Sequence, residues 1–283
     1  MPKSGGTTIK DYYGRCVGLV EAAESGTSSL WGHGSDQEIG VFKALDDQGS
    51  IVYANVDVSN GVGVERAQTM GLIPSGLADI IFSPLDVAAP LFEGTGKQGR
   101  CFALFRDPIE RALSMFHYLQ VATWEPTYNP KLKDMTLVEY NEKGLSERDW
   151  MVRMLSGKTS GPPPLDSDLI KAKEVLRRKC VVGIMDKMEE SIIRFNKYFG
   201  WEGQAKTDHA KKCAKTFIGT GGGANRNKAK EKGSIEERVG TKAFKLMLKR
   251  NPLDTQLYEY ALHLFEKQAS LIGFDGDVSE RLG

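Results

Sequence analysis

Long hydrophobic runs are missing from this 283-residue chain, since no apolar segment approaches the roughly 18 residues that a membrane-spanning helix requires. An Asn-x-Ser/Thr glycosylation site is missing too. We therefore expect this chain to be soluble. A basic excess is also lacking, because 38 Lys and Arg residues balance 37 Asp and Glu residues. This balance argues against nucleic acid as the main partner.

Cysteine and histidine are scarce and scattered, with four residues of each type. The cysteines form no CxxC pair and have no histidine close by; they are Cys16, Cys101, Cys180 and Cys213. Zinc sites and disulfide frameworks are usually recognised by such spacings. The sequence therefore predicts four mostly buried thiols and no metal site.

Short apolar segments alternate with helical patterns along the chain. The predicted strands are Ile51–Val56, Ile80–Phe82, Cys101–Phe105 and Cys180–Met185, and residues 25–50 are predicted as loops with short strands. The last two strands are almost entirely apolar, which is typical of a parallel sheet covered on both faces. We expect an α/β fold with a parallel, P-loop-like sheet flanked by helices, in one domain over residues 1–283.

Helical periodicity marks five segments. They are 7–23, 137–143, 146–155, 169–179 and a final helix that opens at Asn251-Pro252 and ends before Gly273. The first helix follows a glycine-rich loop directly, and the last opens with a capping Asn and a first-turn Pro.

The loop before the first helix has the composition of an anion-binding site. Two glycines allow the backbone to turn its N–H groups toward an anion, and the positive end of the helix adds to the attraction. A lysine charge and two threonine hydroxyls lie beside them; the residues are Lys3, Ser4, Gly5, Gly6, Thr7 and Thr8. The order differs from Walker A, which ends in Gly-Lys-Ser/Thr. The same composition also fits a flexible terminus.

A second candidate site follows the strand Cys101–Phe105. Arg106 comes directly after that strand, at the edge of the sheet where ligands of open α/β folds bind. Asp107 and Pro108 then open a helix, and Ser114 lies two turns along it. Arg106 and Ser114 suit a second phosphate group, although an Arg in this position also fits an ion pair with a nearby carboxylate.

Taken together, the two motifs resemble those of the sulfotransferases that use 3′-phosphoadenosine 5′-phosphosulfate (PAPS), in particular the carbohydrate branch. The stretch Lys3–Thr8 is similar to their 5′-phosphosulfate loop, and Phe105–Ser114 is similar to their 3′-phosphate motif. Segments 182–191 and 251–261 resemble a later strand and helix and the closing helix of that branch. The resemblance covers most of the chain.

The resemblance implies sulfuryl transfer from PAPS to an acceptor hydroxyl, with a glycan favoured as the acceptor and no metal required. Lys3 would stabilise the leaving group, while Arg106 and Ser114 would hold the 3′-phosphate. Asn225 and Arg226, in a Gly-rich basic loop, occupy the place of the segment that closes over PAPS in this family. Family likeness also implies the Golgi, with membrane attachment only through an anchor that is absent from this chain.

The sequence departs from the family pattern at the position expected for the general base, because no histidine lies at the strand end near Phe82. Asp86 is the nearest carboxylate, and His33 and Asp79 are alternatives, whereas packing or solvent exposure fits His117 better. Three aromatic residues could stack on sugar rings but equally fit a core, namely Trp124, Tyr128 and Trp150. Neither the acceptor nor the oligomeric state follows from the sequence.

Two further expectations concern the chain as a whole. The family fold places a strand before the phosphosulfate loop, so we expect this chain to be an N-terminally shortened form. A P-loop nucleotide kinase or NTPase is the alternative enzyme, because the apolar run that ends at Asp186 is similar to a magnesium-binding strand. A degenerate member that binds a nucleotide, or acts only as an interaction module, is the non-enzymatic alternative.

Overall fold

A computed structural model describes residues 3–123, 128–158, 160–218 and 239–274. The fold is α/β, with one mixed sheet and one parallel sheet flanked by helices, as predicted at that level. Two compact units are present. The first contains residues 3–4, 103–123, 128–158, 160–187 and 239–268, and the second contains residues 5–102, 188–218 and 269–274. Whether the chain forms a single domain stays a prediction.

Six strands lie within the described residues. They are β1 (Val20–Ala22), β2 (Val41–Asp46), β3 (Gly49–Ala54), β4 (Ile80–Ile81), β5 (Cys101–Phe105) and β6 (Cys180–Ile184). The four predicted strands are confirmed as β3 to β6, each within two residues at either end.

The helices within the described residues are numbered in chain order. They are α1 (Gly6–Asp11), continued by a π-helical segment (Tyr12–Val17), α2 (Gly61–Thr69), α3 (Leu72–Ser75), α4 (Leu85–Ala88), α5 (Pro108–Leu119), α6 (Leu137–Glu142), α7 (Trp150–Ser156), α8 (Asp166–Lys179), α9 (Met188–Phe199), α10 (Glu202–Ala205), α11 (Asp208–Phe217), α12 (Lys242–Arg250) and α13 (Pro252–Leu271). Short 3-10 turns lie at Glu24–Thr27, Ala89–Phe92, Pro130–Leu132 and Met185–Lys187. Within these ranges, no helix combines the length and apolar character needed to cross a bilayer.

The mixed sheet of the second unit has the strand order β2-β3-β1-β4. Strand β1 runs parallel to both neighbours, and β2 pairs antiparallel with β3. The predicted first helix, 7–23, is wrong beyond Val17. Gly18 adopts a left-handed conformation with φ of 79°, which ends the helix, and the next apolar residues form β1.

Buried aromatic side chains and a disulfide fill the second unit around the π-helical segment. The Tyr12 hydroxyl accepts a hydrogen bond from Asn196 Nδ2 at 3.1 Å, and the Tyr13 ring packs edge-on against Trp201 with centroids 4.9 Å apart. Cys16 is bonded to Cys213 on α11, with their Cα atoms 5.3 Å apart. The prediction of four thiols is therefore wrong, because none of the four cysteines, all of which lie within the described ranges, is free.

The first unit contains strand β6, residues 103–105 of β5 and helix α5, which begins three residues after the end of β5. Helix α5 buries Ile109 and Leu113 against Met247 of α12. The N-termini of α7 and α13 cap each other. Asp149 Oδ1 accepts the Leu253 N–H at 2.8 Å and the Asp254 N–H at 3.0 Å, and the Asp254 carboxylate accepts the first two N–H groups after Trp150 at 3.0 and 2.8 Å.

Candidate functional site

The N-terminal loop begins with two left-handed residues. Lys3 has φ of 59° and Gly5 has φ of 84°, and helix α1 starts at the next residue. A left-handed Lys is uncommon because its Cβ crowds the backbone, whereas Gly adopts this conformation freely. The first N–H groups of a helix have no partner within the helix. The loop thus presents polar backbone groups and Thr7 and Thr8 at the start of α1.

Ser4 is the most unusual residue of this loop. Its side chain is fully buried, and its Oγ atom has no hydrogen-bond partner within residues 3–123, 128–158, 160–218 and 239–274. A buried hydroxyl without a partner costs about 1–3 kcal/mol. The orphaned Ser4 hydroxyl is therefore suited to a polar ligand group that would supply the missing partner.

Lys3 lies against helix α5 of the first unit. Its Nζ atom is 4.2 Å from the centroid of the Tyr118 ring, a cation–π contact. Tyr118 follows Ser114 by four residues on the same helix, so the two side chains share one face. The structure thus brings the lysine of the first motif to the helix that carries the second.

The second motif has the predicted local structure. Asp107 caps α5 by accepting the N–H groups of Ile109 and Glu110 at 2.9 and 3.0 Å. Arg106 follows β5 directly, and its Nη2 atom donates to Glu110 Oε2 at 3.0 Å. The ion pair that the sequence left as an alternative is present. It holds the guanidinium beside the first turn of α5, the helix on which Ser114 is half-buried.

The base candidates differ in their surroundings. Asp86 is exposed in the first turn of the short helix α4. His33 is half-buried, and its Nδ1 atom lies 2.9 Å from Asp36 Oδ2. Asp79 accepts the Val20 N–H at 2.8 Å and so supports the start of β1. His117 lies on α5 beside Gln120, with 3.4 Å between Nδ1 and Oε1.

Several predicted residues lie outside the described part of the chain. Asn225 and Arg226 are among them, and so is Trp124. Of the other two aromatic candidates, Tyr128 is half-buried just after a gap in the described residues. Trp150 begins α7, and its indole N–H is buried without a partner among the described residues.

Glu21 is a titratable residue that sequence reasoning missed. It is fully buried on β1, and neither carboxylate oxygen has a hydrogen-bond partner within the described ranges. Burial raises the pKa of Glu21 to about 8, although the nearby Lys10 charge lowers it. Lys10 itself forms an ion pair with Glu24 at 2.6 Å. The available signal was a single acidic residue within the apolar run from Leu19 to Ala23.

The Glu21→Gln variant should change how the stability of the protein depends on pH. The folded-state pKa of about 8 is higher than the ordinary value of 4.5. The wild type should therefore lose stability as the pH rises from about 4.5 to about 8, because the unfolded chain ionises first. Glutamine cannot ionise, so we expect this loss to shrink by about 4 kcal/mol in urea titrations at pH 5 and pH 9. The exposed Glu65→Gln serves as the matched control, and an identical pH dependence in Glu21→Gln and the wild type would contradict the assignment.

Comparison with known proteins adds no family assignment. No protein-family model matches the chain, and no curated protein sequence matches it.

Proposed function

We propose that this chain is a sulfotransferase that moves the sulfuryl group of PAPS to a hydroxyl of a glycan. The observation that carries the proposal is the contact between Lys3 and Tyr118 on helix α5. It joins the lysine of the phosphosulfate-like loop to the helix of the 3′-phosphate-like motif. A P-loop-like sulfotransferase fold is part of the same proposal.

The residues of the first unit fit a bisphosphate nucleotide. The buried Ser4 hydroxyl lacks a partner among the described residues and could bond a phosphate oxygen. Lys3 brings a full positive charge, and Arg106 offers a planar guanidinium at the end of β5. Ser114, two turns along α5, adds a hydroxyl. In this proposal Lys3 and Ser4 act on the 5′ side of the nucleotide, and Arg106 and Ser114 hold its 3′-phosphate.

When bound, PAPS supplies the activated sulfuryl group, and no metal is part of the proposed reaction. The acceptor oxygen forms a bond to sulfur while the bond from sulfur to the bridging phosphate oxygen breaks. Lys3 neutralises the negative charge that grows on that bridging oxygen, which is where a fixed positive charge lowers the barrier most. Arg106 and Ser114 act by orienting the nucleotide.

The acceptor proton needs a base, and of the two candidates in the second unit we rank His33 above Asp86 by the surroundings of each side chain alone. When the Nδ1–H of His33 donates to Asp36, the Nε2 atom keeps a lone pair that can accept a proton. Asp86, in contrast, has an exposed position on a one-turn helix. Loss of turnover in His33→Ala, with Asp86→Ala still active, tests this assignment.

The disulfide supports the proposed location in the Golgi lumen. Disulfides persist in oxidising compartments such as the secretory pathway and are rare in the cytosol. Cys16 and Cys213 form one within the second unit, between the π-helical segment and α11. We therefore propose that the protein works in the lumen of the secretory pathway.

A turnover assay with radiolabelled PAPS and a panel of glycans tests the proposed activity. We expect label to pass to a glycan, and the rate to persist when magnesium is removed with EDTA. Transfer from ATP that EDTA abolishes would instead favour the nucleotide kinase. Absence of any turnover, with tight binding of the bisphosphate product, would favour the degenerate binding protein.

A further inference from the structure

The second unit contains a row of four ring side chains in contact. Phe42 on β2 lies directly opposite Tyr53 on β3, and their ring centroids are 6.0 Å apart. His33 stacks on Phe42 at 4.1 Å, and Trp31 lies 6.4 Å from the same ring. All four side chains are half-buried, so each presents part of its surface to solvent. Leu30, beside Trp31, is 82% exposed.

A polar network fixes this row in place. Asn55 donates from Nδ2 to Asp36 Oδ2 at 2.8 Å, and that oxygen also contacts His33 Nδ1. Arg66 on α2 donates to the Asp36 carbonyl at 2.6 Å and to the Asn55 carbonyl at 2.9 Å. The segment that carries Trp31 and His33 is thereby tied to β3 and α2, so the site is formed before any ligand arrives.

One polar atom of the row remains available. His33 Nε2 has no partner within the part of the chain that the structure describes. Ring faces beside a hydrogen-bonding ring nitrogen match a pyranose sugar, which has apolar C–H faces and hydroxyl groups at its edge.

The charges near the row indicate which kind of sugar it would accept. Hydrogen bonds from Asn55 and His33 hold the pKa of Asp36 below its usual range, so this carboxyl is ionised at neutral pH. Glu38 is a second acidic side chain in the same segment, and its carbonyl accepts a hydrogen bond from Asn55. The Asp36 carboxylate, which contacts His33, would repel a uronic acid, so a neutral sugar fits better.

We infer that Trp31, His33, Phe42 and Tyr53 form a binding site for a neutral pyranose ring. This inference rests on the proposed function, for which it names the acceptor class as a neutral glycan. Trp31 and Phe42 would stack on the sugar, and His33 Nε2 would accept a hydrogen bond from one of its hydroxyl groups.

Calorimetric titration of neutral hexasaccharides, without PAPS, tests the inference. The probes are cellohexaose, mannohexaose and β-1,4-galactohexaose, with a chondroitin hexasaccharide as the acidic comparison and a tyrosine-containing peptide as the aromatic one. We expect at least one neutral probe to bind with a dissociation constant at or below about 1 mM. Trp31→Ala should weaken that binding by roughly tenfold or more, equivalent to the loss of one aromatic stacking contact.

Two control variants make the outcome interpretable. Leu30→Ala removes an exposed apolar neighbour that lies outside the ring contacts, and should bind the sugar like the wild type. Trp31→Phe keeps a ring and should retain most of the affinity.

The inference is overturned if no neutral probe binds at about 10 mM, if Trp31→Ala binds as well as the wild type, or if only the acidic or the aromatic probe binds. Titration with the bisphosphate nucleotide is scored separately, so sugar binding without nucleotide binding would defeat the proposed reaction and leave this site standing.

Discussion

Replacing Lys3 with alanine is expected to reduce sulfuryl transfer from PAPS by about 100-fold to 1000-fold, as when one group that stabilises an oxyanion is removed. The reason is that the Lys3 charge would act on the bridging oxygen only while the S–O bond breaks. The loss should therefore fall mainly on kcat, with a smaller change in the KM for PAPS. Steady-state kinetics with a saturating glycan measure both constants.

A matched control separates this effect from a general loss of positive charge. Lys133 is an exposed lysine of the first unit, so Lys133→Ala should transfer sulfate at the wild-type rate. Lys3→Ala also removes the cation from the face of the Tyr118 ring. Tyr118→Phe keeps an aromatic ring beneath Lys3, so this variant should retain the cation–π contact and remain active. Transfer by Lys3→Ala at the rate of Lys133→Ala would refute the role of Lys3.

The second large effect concerns the disulfide of the second unit. Cys16 and Cys213 are 197 residues apart in the sequence, so their bond closes a very long loop. Chain-entropy arguments give such a cross-link about 4–5 kcal/mol of stabilisation, because it restricts the unfolded chain. The double variant Cys16→Ser/Cys213→Ser should lose about this much free energy of unfolding in a urea titration without reductant.

Alkylation followed by peptide mass spectrometry provides the independent control. In the unreduced wild type, neither Cys16 nor Cys213 should react with iodoacetamide, since the two are bonded to each other. After reduction and unfolding both should react. Labelling of both residues before reduction, or a double variant as stable as the wild type, would contradict the disulfide.

The sequence predicts local features well wherever a single segment determines them. The sequence predicts strand β5 as Cys101–Phe105, and the strand has those bounds, because five apolar residues end at an Arg and a helix cap. Strand β1 was missed because Leu19 and Val20 continue the helical spacing of the residues before them. The left-handed Gly18 separates the two elements, and periodicity over so few residues cannot distinguish a short strand from a helix.

In the candidate site too, the sequence predicts the features that one segment determines and misses the contacts between distant segments. The Arg106 motif lies on one strand and one helix, so its local structure followed from the order of residues. The contact between Lys3 and Tyr118, the pairing of Cys16 with Cys213, and the network around Asp36 all join residues distant in sequence. Such contacts arise from tertiary packing, which one sequence without its fold does not specify.

The most direct test of the account is calorimetric titration with 3′-phosphoadenosine 5′-phosphate, the product that both phosphate motifs would bind. We predict a dissociation constant at or below about 10 μM for the wild type, and an affinity lowered roughly 10-fold to 100-fold in Arg106→Ala through lost charge-assisted hydrogen bonds. Arg177→Ala, which removes an exposed arginine that also pairs with a glutamate in the first unit, should bind like the wild type. Equal affinity in Arg106→Ala and the wild type, or no binding by the wild type, would contradict the central claim that these motifs hold one nucleotide.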